Sequence, residues 1–316
     1  MINLNLNDVA ANNHFNAVKD IIQSRIRNII KSGISINGYK ASPFGGLRNY
    51  LQSLLNDNEL ERLISARPDT LQGIIASLTN LYPDFINSTS DSYFVLYNIF
   101  VKNCYDKSDK FSKYDFITRI DRDTCPYCNR NYIYYISRYK GIKPQIDHFF
   151  PKSKYPFLAM SFYNLIPSCQ TCNGFGAKEE KDPLIEGLIN PYLLKNSDFS
   201  FTFEPVSSRI ISTLLDKNSI KVKIIKNIPG HLDVFKLKEL YELHSDHVVE
   251  LIFKSKIKYS DTYREYLNRY FENGQKFSDN EIDRMILGNY ATEEDIHKRP
   301  LAKLYQDIGK ELGLIK

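Results

Sequence analysis

Two Cys-x-x-Cys pairs, Cys125-Pro-Tyr-Cys128 and Cys169-Gln-Thr-Cys172, constrain this chain more than any other feature of it. A two-residue gap in a tight turn lets both thiolates of a pair reach one tetrahedral ion. Four thiolates close the coordination sphere and leave no position for water, so the site they predict is structural zinc. A simple zinc ribbon separates its pairs by about 15–20 residues. Here forty residues lie between Cys128 and Cys169, which implies that a further unit is inserted between the knuckles. Cys104 stands apart and reads as a small buried apolar residue.

With 316 residues, 42% of them hydrophobic and 25% charged, the chain can bury a core without disulfides and has the composition of a soluble globular protein. No apolar run approaches the roughly 18 residues of a membrane span. The opening residues, MINLNLNDVAANNHF, lack the basic-then-apolar layout of a secretion signal. A cytoplasmic location is therefore expected, with no membrane partner, in a reducing compartment where paired cysteines signify metal. The net charge of +5 is unevenly placed. Seven basic residues (Arg130, Arg138, Lys140, Lys143, Lys152, Lys154 and Lys178) share one segment with a single acid, Asp147. A positive field concentrated in this way suits a polyanion, although a solvated basic face has the same composition.

The periodicity predicts a mainly α-helical protein with a small α+β insert. Apolar residues at helical spacing predict an amphipathic helix from Asn7 to about Ser32, and further helices over Leu47–Leu55, Glu59–Ser65, Thr70–Tyr82 and Tyr93–Cys104. This helical region, 1–115, carries no legible chemistry. In the central region, 116–185, Asn131–Ser137 reads as a strand, Gly141 as a turn and Pro144–Phe150 as the returning strand. Leu158–Asn164 is ambiguous, and a helix is expected from Asn173 onward. The last region, 186–316, is expected to hold short strands at Phe199–Phe203, Ile210–Leu214 and Ile220–Ile225. Helices follow over Val234–Lys256, Asp261–Glu272, Asp279–Leu287 and Leu301–Leu312, with Pro229-Gly230 as the clearest late breaker.

Between the knuckles, Asp147-His148 ends a strand-like run. Asn164 follows the histidine by 16 residues, and Asn173 follows 9 residues later, directly behind the last cysteine. This layout resembles the HNH, or ββα-metal, nucleases, in the zinc-containing variants with Asn at the third signature position. The resemblance implies a treble-clef-like zinc site wrapped around a nuclease centre. Phosphodiester hydrolysis needs a base for water, a cation on the phosphate and a proton for the leaving oxygen. Histidine ordinarily titrates near neutrality, so His148 is the expected base. Asp147 and Asn173 offer hard oxygen ligands for Mg²⁺ or Mn²⁺. The resemblance gives Asn164 the task of holding the loop that aims His148. Lys178, Lys152 and Arg130 are candidate phosphate contacts. His244 and His247, near Asp246, are an i, i+3 pair without an evident fourth ligand.

A wider resemblance covers Asp147-His148-Phe149-Phe150-Pro151-Lys152, Pro156-Phe157-Leu158-Ala159 and Asn164-Leu165-Ile166-Pro167-Ser168-Cys169. Two later segments share it: Phe235-Lys236-Leu237 through Leu240-Tyr241, with His244 and Glu250, and Arg299-Pro300-Leu301-Ala302-Lys303-Leu304. These are similar to the PtuB-like HNH nucleases of Septu-type and retron-linked anti-phage systems, which implies a DNA-cutting defence effector with an SMC/ABC-type ATPase as partner. The first ~110 residues exceed what that family leads one to expect. Two other functions fit the same basic, tyrosine-rich segment: a zinc module that binds nucleic acid or a partner without cutting, and a nuclease directed at RNA or tRNA. A pure binder leaves Asp147 unexplained at the centre of the positive patch.

Overall fold

Asn7 starts the chain's longest helix by accepting the Ala10 N–H at 2.9 Å, and the computed structural model follows that helix, α1, over Asp8–Ser32. The structure describes residues 1–36, 38–106, 111–136, 141–174, 176–206, 217–225, 228–258, 261–269 and 276–315. Phe15, Val18, Ile22, Ile26 and Ile29 recur at intervals of three or four, so they form one face, and that face is buried. Gly33 ends the helix at φ +66, where a side chain would also meet the Ala41 carbonyl oxygen. A short hairpin follows, β1 (Ile34–Ile36) with β2 (Tyr39–Ala41), then α2 (Gly45–Ser53), α3 (Asp57–Ile64) and α4 (Leu71–Leu81). The next helix, α5 (Asp91–Leu96), runs without a break into a π-helical stretch over Tyr97–Tyr105. Such wide turns are uncommon and frequently accompany functional sites. α6 (Lys113–Ile120) closes the helical region.

The central hairpin differs from the expected one. Gln145–His148 forms β3, but its antiparallel partner is β4, Leu165–Ser168, in the register Asp147↔Ile166 and His148↔Leu165. Asn131–Ser137 is not that partner; among its described residues there is only an isolated bridge between Thr124 and Tyr132. The ambiguous run Leu158–Asn164 resolves into 3₁₀ turns at Pro156–Leu158 and Phe162–Asn164. The helix expected from Asn173 onward instead ends there: α7 spans Gln170–Asn173. A Cβ at Gly174 would lie 2.5 Å from the Gln170 carbonyl oxygen.

After α8 (Pro183–Glu186), β5 (Ser200–Pro205) pairs antiparallel with β6 (Ile220–Ile225). The strand expected at Ile210–Leu214 lies outside the described residues. Pro229 opens α9 (Pro229–Val234) at its first turn, where its missing N–H costs nothing. The single helix expected over Val234–Lys256 is divided into α9, α10 (Leu237–Glu242) and α11 (Ser245–Phe253), with Lys236 at φ +49 breaking the run. Next come α12 (Asp261–Arg269) and α13 (Asp279–Leu287), the latter opened by a capping box of Ser278 and Glu281; α14 (Ala302–Glu311) is the last. Among the described residues the protein is thus mainly helical with three two-stranded antiparallel sheets. One continuous apolar core runs from Met1 to Ile315 through all three sequence regions. Among the described residues no helix is long and apolar enough to cross a membrane.

Candidate functional site

The four cysteines converge as their spacing predicts. Cys125, Cys128, Cys169 and Cys172 are all buried, and their sulfurs lie within 4.8 Å of one another. Cys128 Sγ and Cys169 Sγ are 3.9 Å apart, close to the roughly 3.8 Å edge of a tetrahedron with ~2.3 Å bonds to zinc. Three N–H groups point at these sulfurs: Arg130 N at Cys128 (3.3 Å), Asn131 Nδ2 at Cys169 (3.3 Å) and Cys169 N at Cys125 (3.4 Å). Donors of this kind stabilise thiolate charge. The donor set and its surroundings therefore fit a structural ion such as zinc. Cys104 lies elsewhere in the core, its thiol pushed up to about 12 by burial, as an inert packing residue requires.

The first knuckle is anchored from three directions. Ile2 N donates to Pro126 O at 2.9 Å, Tyr241 Oη to Cys128 O at 2.6 Å, and Leu301 N to Asn129 O at 2.6 Å. The Asn129 amide also reaches Thr124 Oγ1 and Ile296 O, while its Oδ1 takes the Lys303 N–H. Within the knuckle, Tyr127 is fully buried and donates its hydroxyl to Asp147 Oδ2 at 2.5 Å.

Asp147 and His148 sit side by side at the end of β3, both buried. Burial raises the Asp147 carboxyl above its ordinary range, against the pull of Lys178, the Tyr127 hydroxyl and the His148 backbone N–H. A cation bound beside such a buried carboxyl would favour its charged form. Gln145 shares the Asp147 face, two residues along the strand. Its Oε1 accepts Asn173 Nδ2 at 2.9 Å, which ties α7 to that face and leaves the Asn173 oxygen as the end available to a cation.

His148 Nε2 meets Ala159 O at 3.1 Å. A carbonyl can only accept, so Nε2 carries the proton and Nδ1 keeps the lone pair. Burial, and next the charge of Lys152, pulls the imidazole down to about 3, and it is neutral at physiological pH. Tyr105, from the end of the π-helical stretch, packs edge-on against the ring at 4.4 Å. Asn164 is fully buried in the turn before β4. It accepts Phe150 N at 2.7 Å and donates to Phe150 O at 3.1 Å and Leu158 O at 3.0 Å, closing the loop that follows His148.

The basic candidates separate. Lys152 pairs with Asp106 at 3.1 Å and sits over the Tyr105 ring, on the His148 side. Arg130 donates from Nε to His244 Nε2 at 2.9 Å. Lys178, expected on a helix face at the phosphate, is buried beyond the end of α7, with its ammonium donating to Lys181 O at 2.8 Å. Burial lowers it, while Asp147 and then Asp182 oppose the change. Asp246 does bring a carboxylate to His244 and His247, with one donor atom of each within 4.8 Å of the others. His244 is already committed to Arg130, and burial with that guanidinium pulls it down to about 4. Tyr127, Tyr105 and Gln145 are not among the site residues expected from the sequence. Tyr127 was at least visible as the aromatic inside the first knuckle; Tyr105 is distant in sequence and gave no signal.

A stretch of 47 residues is 45% identical to the Septu protein PtuB of Bacillus thuringiensis; it covers 15% of this chain and 18% of that protein. The chain matches no protein-family profile and no solved structure. It is thus related in sequence, over that short stretch, to a Septu protein.

Proposed function

We propose that this protein is a metal-dependent endonuclease of the HNH type that hydrolyses DNA as an effector of anti-phage defence. The observation that carries the reading is His148. Its Nε2–H is fixed by Ala159 O so that Nδ1 keeps its lone pair, and the ring stands beside the buried carboxyl of Asp147. Buried His14 makes the same kind of bond to Met160 O, so it is the adjoining Asp147 that singles out His148. The β3–β4 hairpin leading into the single turn of α7, with Cys169 and Cys172 at that junction, supports the reading.

Asp147 and Asn173 are the residues that would hold Mg²⁺ or Mn²⁺, both through hard oxygens; when bound, such an ion supplies charge neutralisation at the phosphate. Asn164 holds the loop, Ala159 O holds the ring, and His148 Nδ1 takes the proton of the attacking water. The Septu relationship and the wider resemblance suggest the defence role, and the resemblance alone suggests an SMC/ABC-type ATPase as partner. Binding without cleavage is the second reading. It is favoured by Tyr132 and Tyr134, which are half exposed and stacked at 4.7 Å, a platform suited to bases.

Plasmid cleavage with Mg²⁺ or Mn²⁺, wild type beside His148→Ala at equal zinc content, tests the proposal. Cutting by wild type alone is expected. Equal cutting by the variant removes His148 as the base, and binding without cutting, partner ATPase included, favours the second reading.

A further inference from the structure

Lys113 lies in the helical region, outside the cysteine-bounded segment, in the first turn of α6. The fold brings it to the same ring as Lys152. The two ammonium nitrogens lie 4.1 and 4.6 Å from the centroid of Tyr105, and that ring packs against His148. Each cation gains something from the aromatic face, but together they repel. Burial holds Lys113 below the ordinary lysine value, and Lys152 and Lys143 add to the effect. Asp106 opposes them, yet its carboxylate is shared: one oxygen pairs with Lys152 at 3.1 Å and the other with Lys102 at 3.5 Å. A cation in the first turn of a helix also runs against the helix dipole. Among the described residues, the Tyr105 ring and the shared carboxylate of Asp106 are what favour Lys113 here, against burial, the helix dipole and its lysine neighbours.

An anion would favour it further. We propose that Lys113 and Lys152 form a phosphate clamp on the Tyr105 ring, taking a backbone phosphate of DNA beside His148. A phosphodiester carries one negative charge on two non-bridging oxygens, one for each ammonium group, and would draw the two flexible side chains toward it. It would relieve their repulsion and compete with Asp106 for Lys152. Lys113 is then a positioning residue supplied by the helical region to a reaction centre in the central one. The proposal rests on the nuclease reading for the identity of its ligand, though not for the clamp itself.

The test is binding of a fluorescein-labelled 20-base-pair DNA duplex to the full chain, by anisotropy without added divalent ion, over a range of salt concentrations. Lys113→Gln and Lys152→Gln should each weaken binding roughly tenfold and lower the slope of log affinity against log salt by about 0.9. The double variant should lose both contributions, and Lys113→Arg should restore binding. An unchanged slope in the double variant overturns the clamp, as does a loss that Lys113→Arg fails to rescue, which would mark a packing role. Failure of the two readings can be told apart. A wild type that binds with a Lys113-dependent slope but never cuts sinks the nuclease and keeps the clamp. A wild type that cuts while the double variant binds undiminished sinks the clamp alone.

Discussion

Replacing Asn164 with alanine should cost more stability than any other single change among the candidate catalytic residues, and the structure gives the reason. The side chain makes three buried hydrogen bonds. Leu158 O would keep a partner after truncation, because it also accepts Ser161 N at 3.1 Å. The N–H and the carbonyl of Phe150 would lose the bonds that Asn164 gives them, in a site closed to water. Each orphaned group costs about 1–3 kcal/mol, so the loss should be about 2–6 kcal/mol, a large part of the ~5–15 kcal/mol that holds a typical domain together. Asn164→Asp separates geometry from chemistry. It keeps an oxygen for Phe150 N but sets a second, charged oxygen against two carbonyl oxygens, so it should be no more stable than the alanine variant at neutral pH. Asn173→Ala is the control: it is half-buried, with one side-chain bond to Gln145, and should cost about 1 kcal/mol. Urea unfolding followed by circular dichroism measures all three at equal zinc content. An Asn164→Ala protein within about 1 kcal/mol of wild type would refute the argument that this side chain holds the loop after His148.

Two further predictions concern metal and protons. The purified protein should carry one zinc per chain by mass spectrometry; Cys169→Ser, or a strong chelator, should remove it together with cooperative unfolding, since ion binding in such sites is folding free energy, and a soluble, stable Cys169→Ser protein would refute this. His14 and His231 are buried and pulled from the ordinary 6.5 down to about 4, chiefly by burial. Their folded values lie below the unfolded one, so the unfolded chain takes up protons first as pH falls from about 6.5, and stability drops through that window. At about pH 5 each should have cost about 2 kcal/mol relative to pH 7; an unfolding midpoint unchanged between those two pH values would contradict neutral burial.

Features fixed by neighbouring residues were legible in the sequence. The cysteine cluster follows from two short gaps, α1 from one apolar stripe, and α13 spans the residues expected for it. The strand that pairs with Asp147-His148 was misassigned for an identifiable reason. Leu165–Ser168 is buried at every position and contains Pro167, so it shows neither the alternation nor the composition that marks a strand. The tyrosine-rich Asn131–Ser137 shows the expected composition and forms none among its described residues. Lys178 was misplaced because a helix was carried past Asn173, whereas the chain turns at Gly174 and buries the lysine. Tyr105 and Lys113 could not have been found, since nothing local records that a helical region read as scaffold supplies one wall of the site.

The same contacts change what the knuckle does. From its four thiolates, the metal centre reads as a staple, remote from any reaction. Tyr127 links the two, because it lies between the first pair of cysteines and its hydroxyl holds one oxygen of Asp147. Tyr127 also stacks on Phe235 at 4.5 Å, while Tyr241 ties the backbone of the same knuckle to α10. The ring's position is thus set by the turn that the four sulfurs close and by helices from the far end of the chain. Asp147 is buried and held from one side by this hydroxyl, so a shift of the knuckle would reach the carboxylate directly. Any ion the cysteines hold therefore acts on the candidate centre through one hydrogen bond, without touching substrate, and the helices around it determine where that bond points.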